Sequence, residues 1–177
     1  MPNTKENLND LRTKFQYNLI GTSPETQYIE NPGEKYAEYA PVVELAIKQA
    51  ADFIFRIIDN LSSNCLENNE KSIAIRVTGY ADPRVISEVA QFSDETINDE
   101  QFGINVTRGT SMDNQLLSKL RAYFTTKQFI KYLKEYENYE KLDKMIKWEI
   151  VGMGIDKSET RENLLKRRVN IEIGVVN

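Results

Sequence analysis

The chain has 177 residues, of which 40% are hydrophobic and 28% are charged, so it can bury the core of one domain. Its net charge of −4 argues against a general nucleic-acid binder, because such a protein needs an excess of lysine and arginine facing the phosphates. Histidine is absent, which excludes Cys–His and Ser–His catalysis and every metal site that contains histidine.

The first 38 residues are polar and rich in turn formers, and we expect an N-terminal extension with one short strand over Phe15–Ile20. The amino terminus has no apolar signal-peptide core, and no run reaches the roughly 18 apolar residues of a membrane span. The sequence therefore predicts a soluble chain without a visible export signal. The single cysteine, Cys65, has no second cysteine to pair with and is interpreted as a free structural thiol.

Helical patterns follow in two long segments. Apolar residues recur at three-and-four spacing from Pro41 to Leu61, which predicts a helix. Pro41 suits its first turn, where proline is tolerated. A second helix is expected to begin at Asp113 or Asn114, either of which can cap it, and to run to about Tyr136. Two short helices are also expected, at Val85–Phe92 and Ser158–Leu165.

Strand patterns lie between and after these helices. Alternating apolar residues predict strands at Ser72–Gly79, Lys147–Gly154 and Arg168–Val176. The long segment from Tyr80 to Met112 is expected to be irregular apart from the short helix. The elements predict an α+β fold over residues 39–177, a two-layer sandwich with helices packed on one face of a mixed β-sheet.

Four segments stand out as candidates for a binding site. The first is Gly79-Tyr-Ala-Asp82, a strand that ends in an acid, and the second is Asn114-Gln-Leu-Leu-Ser-Lys-Leu-Arg-Ala122 at a helix start. The third is Gly152-Met-Gly154 at a strand end, and the fourth is Lys166-Arg-Arg-Val169, which enters the last strand.

In this order the segments resemble the OmpA-like domain family, which includes flagellar stator proteins of the MotB kind and peptidoglycan-associated lipoproteins. The family pattern is Gly-His-Thr-Asp, then Asn-x-x-Leu-Ser-x-x-Arg-Ala, then Gly-x-Gly, then Asn-Arg-Arg-Val-Glu. The second block matches without a gap, and the resemblance covers roughly residues 40–177. It implies non-covalent binding of the diaminopimelate residue of the peptidoglycan stem peptide, without catalysis or a cofactor, in the periplasm or at the cell wall.

The resemblance implies a pocket formed by Asp82, Asn114, Arg121 and Arg168. Diaminopimelate ends in an ammonium and a carboxylate, so a complementary site needs one acid and one guanidinium held a few ångströms apart. Asp82 suits the ammonium, and Arg121 presents a planar fork that binds a carboxylate at two points. Asn114 is expected either to cap the helix or to contact the ligand. Of Arg167 and Arg168, Arg168 is favoured as the residue that faces the helix layer or the site.

The sequence departs from the family pattern at several positions. Tyr80 and Ala81 replace the family's histidine and threonine, and Lys166 and Asn170 replace an asparagine and a glutamate. An insert of about residues 83–112 separates Asp82 from the second helix. This insert is acidic and is expected to cap the pocket, to change its specificity or to dock a partner. The alternative function is therefore a structural subunit of a secretion apparatus, motor or virion whose ligand pocket is altered or lost.

Two further groups of residues are assigned structural roles. Tyrosines late in the second helix and just after it are interpreted as packing residues in preference to a stacking surface for sugars or bases. These are Tyr123, Tyr132, Tyr136 and Tyr139. The acids between 135 and 143 are interpreted as a solvated face in preference to a glycosidase pair, so an enzyme that degrades the wall is not favoured.

Overall fold

The computed structural model describes residues 14–20, 41–65, 72–81, 91–92, 95–155 and 168–176. Only the backbone is described for the first of these ranges and at the ends of the second and last. The helices and strands, numbered in chain order, are β1 (Lys14–Ile20), α1 (Pro41–Cys65), β2 (Ser72–Ala81), β3 (Ile97–Asp99), β4 (Ile104–Val106), α2 (Asn114–Leu133), α3 (Tyr139–Asp143), β5 (Ile146–Ile155) and β6 (Arg168–Val176).

Four strands form one mixed sheet in the order β1-β6-β2-β5. β6 is antiparallel to both β1 and β2, whereas β2 and β5 run parallel, as two strands joined by a helical crossover do. β1 belongs to the segment expected to be an N-terminal extension, and it pairs along its whole length with β6. Both long helices pack on one face of this sheet, so the expected α+β two-layer fold is confirmed.

The core lies between that sheet face and the helices. Odd-numbered residues of the central strands are buried there, among them Ile75 and Val77 of β2 and Ile171 of β6. α1 contributes an apolar face at the spacing that the sequence predicted, including Ile47, Ile54 and Ile58. α2 also buries Ser118, Arg121, Thr125 and Thr126, because it is enclosed by the sheet, by α1 and by the insert.

The opposite face of the sheet is polar. Arg76 of β2 lies between two glutamates of the neighbouring strands. Its Nε is 2.8 Å from Oε2 of Glu149 on β5, and its Nη1 is 3.6 Å from Oε2 of Glu172 on β6. These three side chains are 15–19% exposed, so the ion pairs are partly desolvated and link three strands in register.

The insert contains regular structure that its sequence did not reveal. β3 and β4 form an antiparallel hairpin, and Phe92 pairs with Thr110 beside the bridge between Gln91 and Ser111. Phe92 and Ile104 are almost completely buried in the common core. The expectation of an irregular segment was wrong for residues 97–106, because strands of three residues leave too short a pattern to recognise.

Several expected boundaries differ from the observed ones. α1 continues four residues beyond Leu61, and α2 ends at Leu133, three residues before Tyr136. The segment after α2 contains the short helix α3, in which Tyr139 is 1% exposed and packs in the core. The helices expected at Val85–Phe92 and Ser158–Leu165 lie outside the described residues, apart from Gln91 and Phe92. None of the helices in the described ranges is long and apolar enough to span a membrane.

Candidate functional site

The first turns of α2 lie directly on the ends of β2 and β5. A Cβ atom added to Gly79 would be 1.9 Å from the carbonyl oxygen of Ser118, and one added to Gly152 would be 2.7 Å from the amide nitrogen of Lys119. Real Cβ atoms do not approach other atoms so closely, so these positions admit only glycine at this helix–sheet distance. The glycines of the first and third sequence blocks therefore set the depth at which α2 sits.

Side-chain hydrogen bonds hold the same turns in place. Ser118 is fully buried, and its Oγ donates to the carbonyl of Gln115 and accepts from the amide of Gly154 at 2.8 Å. Gln115 Nε2 in turn donates to the carbonyl of Gly152. Gly154 has a positive φ of 68°, which turns its N–H toward the helix at little cost for glycine. The Gly-x-Gly block and the serine of the second block thus form one clamp between α2 and β5.

Asp113 caps α2. Its Oδ1 accepts a hydrogen bond of 2.7 Å from the amide of Leu116. Asp113 was one of the two residues that the sequence predicted as a cap. Asn114 is the first helical residue and is half-buried. Asp113, and not Asn114, is therefore the N-cap residue, so the capping role expected as one option for Asn114 was wrong.

Arg121 lies two helical turns beyond Asn114, at the end of β2. Its Nη1 donates to the carbonyl of Tyr80 at 2.7 Å, and the residue is only 1% exposed. A buried guanidinium needs hydrogen-bond acceptors and a compensating negative charge, because desolvation of an unpaired cation is costly. The contact with Tyr80 fixes the arginine at the point where the chain leaves the sheet toward Asp82.

Asp82 and Arg168 are the other two predicted site residues with a charged side chain. Asp82 lies outside the described residues, although it is bonded to Ala81 and follows Tyr80 by two positions. Arg168 begins β6 opposite Ile20 of β1, and its side chain lies outside the described residues.

The tyrosines identified in the sequence are packing residues. Tyr123, Tyr132 and Tyr139 are less than 9% exposed, and the ring of Tyr136 stacks on Phe55 of α1 with centroids 3.9 Å apart. Each donates its hydroxyl to a carboxylate, as buried tyrosines commonly do. Within the described residues, no group of three or more acids or cysteines is arranged to hold a metal ion.

Comparison with known proteins gives similarities among solved structures alone. No family model matches the chain, and no curated protein does. The periplasmic domain of Helicobacter pylori MotB (residues 90–256) is 14% identical with a TM-score of 0.45, and the match covers 93% of this chain and 76% of that one. The peptidoglycan-associated lipoprotein of Burkholderia pseudomallei is 12% identical with a TM-score of 0.37, covering 82% of this chain and 87% of that one.

These are the two kinds of protein that the four sequence blocks resemble. Within this chain, the residues that shape the candidate site are those of the clamp around Ser118, the two contact glycines and the buried Arg121.

Proposed function

We propose that this chain is an anchoring domain of the OmpA-like type, which binds the peptidoglycan stem peptide without catalysis and so attaches an envelope protein or machine to the cell wall. The observation that carries the proposal is the contact between Arg121 and the carbonyl of Tyr80. It holds a guanidinium at the end of β2, within two residues of an acid. A zwitterionic amino-acid terminus needs this pair of opposite charges.

In this proposal Asp82 accepts the ammonium of diaminopimelate and Arg121 donates to its carboxylate. Arg121 suits this role because a guanidinium has five N–H groups and can bind a carboxylate at two points. Asn114 at the start of α2 is proposed to contact the ligand, because backbone N–H groups at a helix start favour an anionic group. Arg168 is proposed as a further contact at the start of β6.

Co-sedimentation with purified sacculi tests the proposal. We expect the wild-type chain to sediment with sacculi that contain diaminopimelate, and to bind more weakly to sacculi that contain lysine, which lacks the second carboxylate. Asp82→Asn and Arg121→Lys should each reduce binding at least tenfold, because the first leaves the ammonium of the ligand unmatched and the second removes the two-point contact with its carboxylate. Arg121→Lys keeps the positive charge but cannot bind a carboxylate at two points.

Matched controls are available on α1. Asp59→Asn changes an exposed acid, and Arg56→Lys changes an arginine whose side chain is 77% exposed. Both should bind sacculi like the wild type, and circular dichroism should show all four variants folded. Binding that survives Asp82→Asn and Arg121→Lys, or a wild type that does not sediment, would contradict stem-peptide binding.

A second candidate function is an assembly subunit that keeps the fold without the ligand. Arg121 is 1% exposed and bonded to its own chain, which also suits an arginine that only stabilises the end of β2. In this case the wild type would not sediment with sacculi. Arg121→Lys would then lower the free energy of unfolding, and it would not sediment with sacculi either.

A further inference from the structure

A concavity lies between the insert hairpin and α2. Its volume is about 350 Å³, which falls within the usual range of about 300–1,000 Å³ for small-molecule sites. Residues 95–99 of the insert form one wall, and Tyr123 and Phe124 of α2 form the other. The cleft is thus built from the segment that distinguishes this sequence from the family pattern.

The two walls are tied together at Asp99. Tyr123 donates its hydroxyl to Oδ2 of Asp99 at 3.0 Å, and Nζ of Lys127 lies 3.8 Å from the same oxygen. Burial, together with this hydrogen bond, raises the pKa of Tyr123 to about 12, so the hydroxyl remains a donor at neutral pH. Phe102 packs edge-on against the ring of Tyr123, with centroids 6.0 Å apart. The cleft is therefore held in shape before any ligand binds.

The lining offers hydrogen-bonding groups of several kinds beside an apolar strip. Glu95, Thr96 and Asn98 are exposed at the insert wall, while Ile97 and Phe124 are half-buried and supply apolar surface. Thr96 also accepts a hydrogen bond from the amide of Arg108 through its Oγ1, which braces this wall. A ligand with several hydroxyls and an apolar face matches such a lining.

A simple cation is a poorer match. The carboxylate of Asp99 already accepts from one hydroxyl and faces one ammonium, so a second cation would have to compete with Lys127. A neutral sugar does not need to displace either group. It can donate hydroxyls to carboxylates, accept from an amide and pack its C–H face on an aromatic ring.

We propose that the cleft between the insert hairpin and α2 binds a sugar of the wall's glycan strand, which gives the domain a second contact beside the stem-peptide site. This inference rests on the proposed function. Tyr123 and Phe124 follow Arg121 by two and three residues, so the cleft and the proposed stem-peptide site share the helix α2.

Calorimetric titration with chitotetraose, four β-1,4-linked N-acetylglucosamine units without peptide, tests the sugar site alone. We expect saturable binding by the wild-type chain. Glu95→Ala and Asn98→Ala should each weaken it roughly three- to tenfold, the effect of losing one hydrogen bond. The matched controls are Glu100→Ala at the hairpin turn and Asn105→Ala on β4, both exposed and outside the cleft, and they should stay within twofold of the wild type.

The proposal of a sugar site and the proposal of a stem-peptide site can be refuted independently of each other. Arg121→Lys should leave chitotetraose binding unchanged while it weakens sacculus binding. If the wild type binds sacculi but not chitotetraose, or if the control variants weaken binding as much as the cleft variants, the sugar site is refuted and the proposed function stands. The sugar site would also be refuted if the wild type bound hexalysine and not chitotetraose, and if Glu95→Ala abolished the binding of hexalysine. The cleft would then bind a cationic ligand. Chitotetraose binding without sacculus binding would contradict both proposals, because the cleft would then bind a sugar without contacting the glycan strand of the wall.

Discussion

At the scale of single residues, two glycines control how α2 meets the sheet. Gly79 and Gly152 contact the backbone at Ser118 and Lys119, where a methyl group has no room. If α2 were lifted by a side chain at either position, Arg121 would lose its reach to the carbonyl of Tyr80. The family resemblance drew attention to these glycines, but their role in setting the helix depth depends on contacts between distant segments.

Gly79→Ala should destabilise the fold strongly. Its Cβ would overlap the carbonyl oxygen of Ser118, a backbone atom that cannot rotate away, so we expect a loss of about 3 kcal/mol in the free energy of unfolding. Gly103→Ala is the comparison, because nothing lies within 4 Å of an added Cβ there and only its φ of 63° is unfavourable. It should lose about 1 kcal/mol. Urea denaturation measures both, and equal losses would contradict a close approach at Gly79.

At the scale of secondary-structure elements, α1 and α2 are joined by tyrosine–carboxylate pairs. Tyr132 of α2 donates to Oε1 of Glu44 at 2.8 Å, and Tyr136 donates to Oδ1 of Asp52. Asp52 also faces Arg56 one turn along α1, at 3.0 Å. These contacts continue the apolar interface to the surface, and they require the tyrosines to be protonated.

Stability should therefore fall at high pH. Burial, followed by the hydrogen bond to Glu44, raises the pKa of Tyr132 to about 12 from an unfolded value of 10.0. A group whose pKa is raised by folding contributes stability that is fully present below pH 10 and is lost as the pH rises through 12. The urea midpoint should decline between pH 10 and pH 12, and less steeply for Tyr132→Phe.

Ultraviolet titration of tyrosinate provides the second measurement. Tyr132→Phe should remove one group that ionises near pH 12 in the folded chain, whereas Glu44→Gln should lower that pKa by removing the charged acceptor. A midpoint with the same pH dependence in the wild type and in Tyr132→Phe would contradict a contribution from this pair.

At the scale of the whole molecule, the insert shares the main core. Phe92, Ile104 and Val106 of the insert are buried in one cluster with residues of α1, α2 and the sheet. An element that buries its apolar residues in a common core unfolds together with it, because its removal would leave a large cavity. The insert is thus a built-in part of this fold.

A single unfolding transition is the expected consequence. The only tryptophan, Trp148, lies on β5, so its fluorescence reports on the sheet, while far-ultraviolet circular dichroism is dominated by the helices. The two probes should give coincident urea curves. Phe92→Ala should shift both midpoints together, by the roughly 3–5 kcal/mol of a buried phenylalanine, whereas Phe53→Ala, at a residue 37% exposed, should shift them far less. Phe92→Ala midpoints that match those of the wild type would contradict an insert that unfolds together with the common core.

Much of the architecture could be predicted because it depends on local patterns. The alternation in β6 gave its bounds correctly, and the apolar periodicity of α1 identified most of the residues that it buries, although it missed Ala51. The β3–β4 hairpin was missed, because three-residue strands are too short to show a period. The polar appearance of the segment after α2 concealed the short helix α3, although Tyr139 within it was predicted to be a packing residue.

The sequence by itself determined the α+β class and identified Arg121 as a candidate, since periodicity and motif spacing are properties of neighbouring residues. Only the tertiary structure decided that Arg121 is buried against the carbonyl of Tyr80, that Ser118 bonds to Gly154, and that the insert joins the core. Such contacts join residues more than 30 positions apart. The lengths of these contacts depend on how closely the helix layer packs on the sheet. Local sequence patterns carry no information about the separation of the two layers.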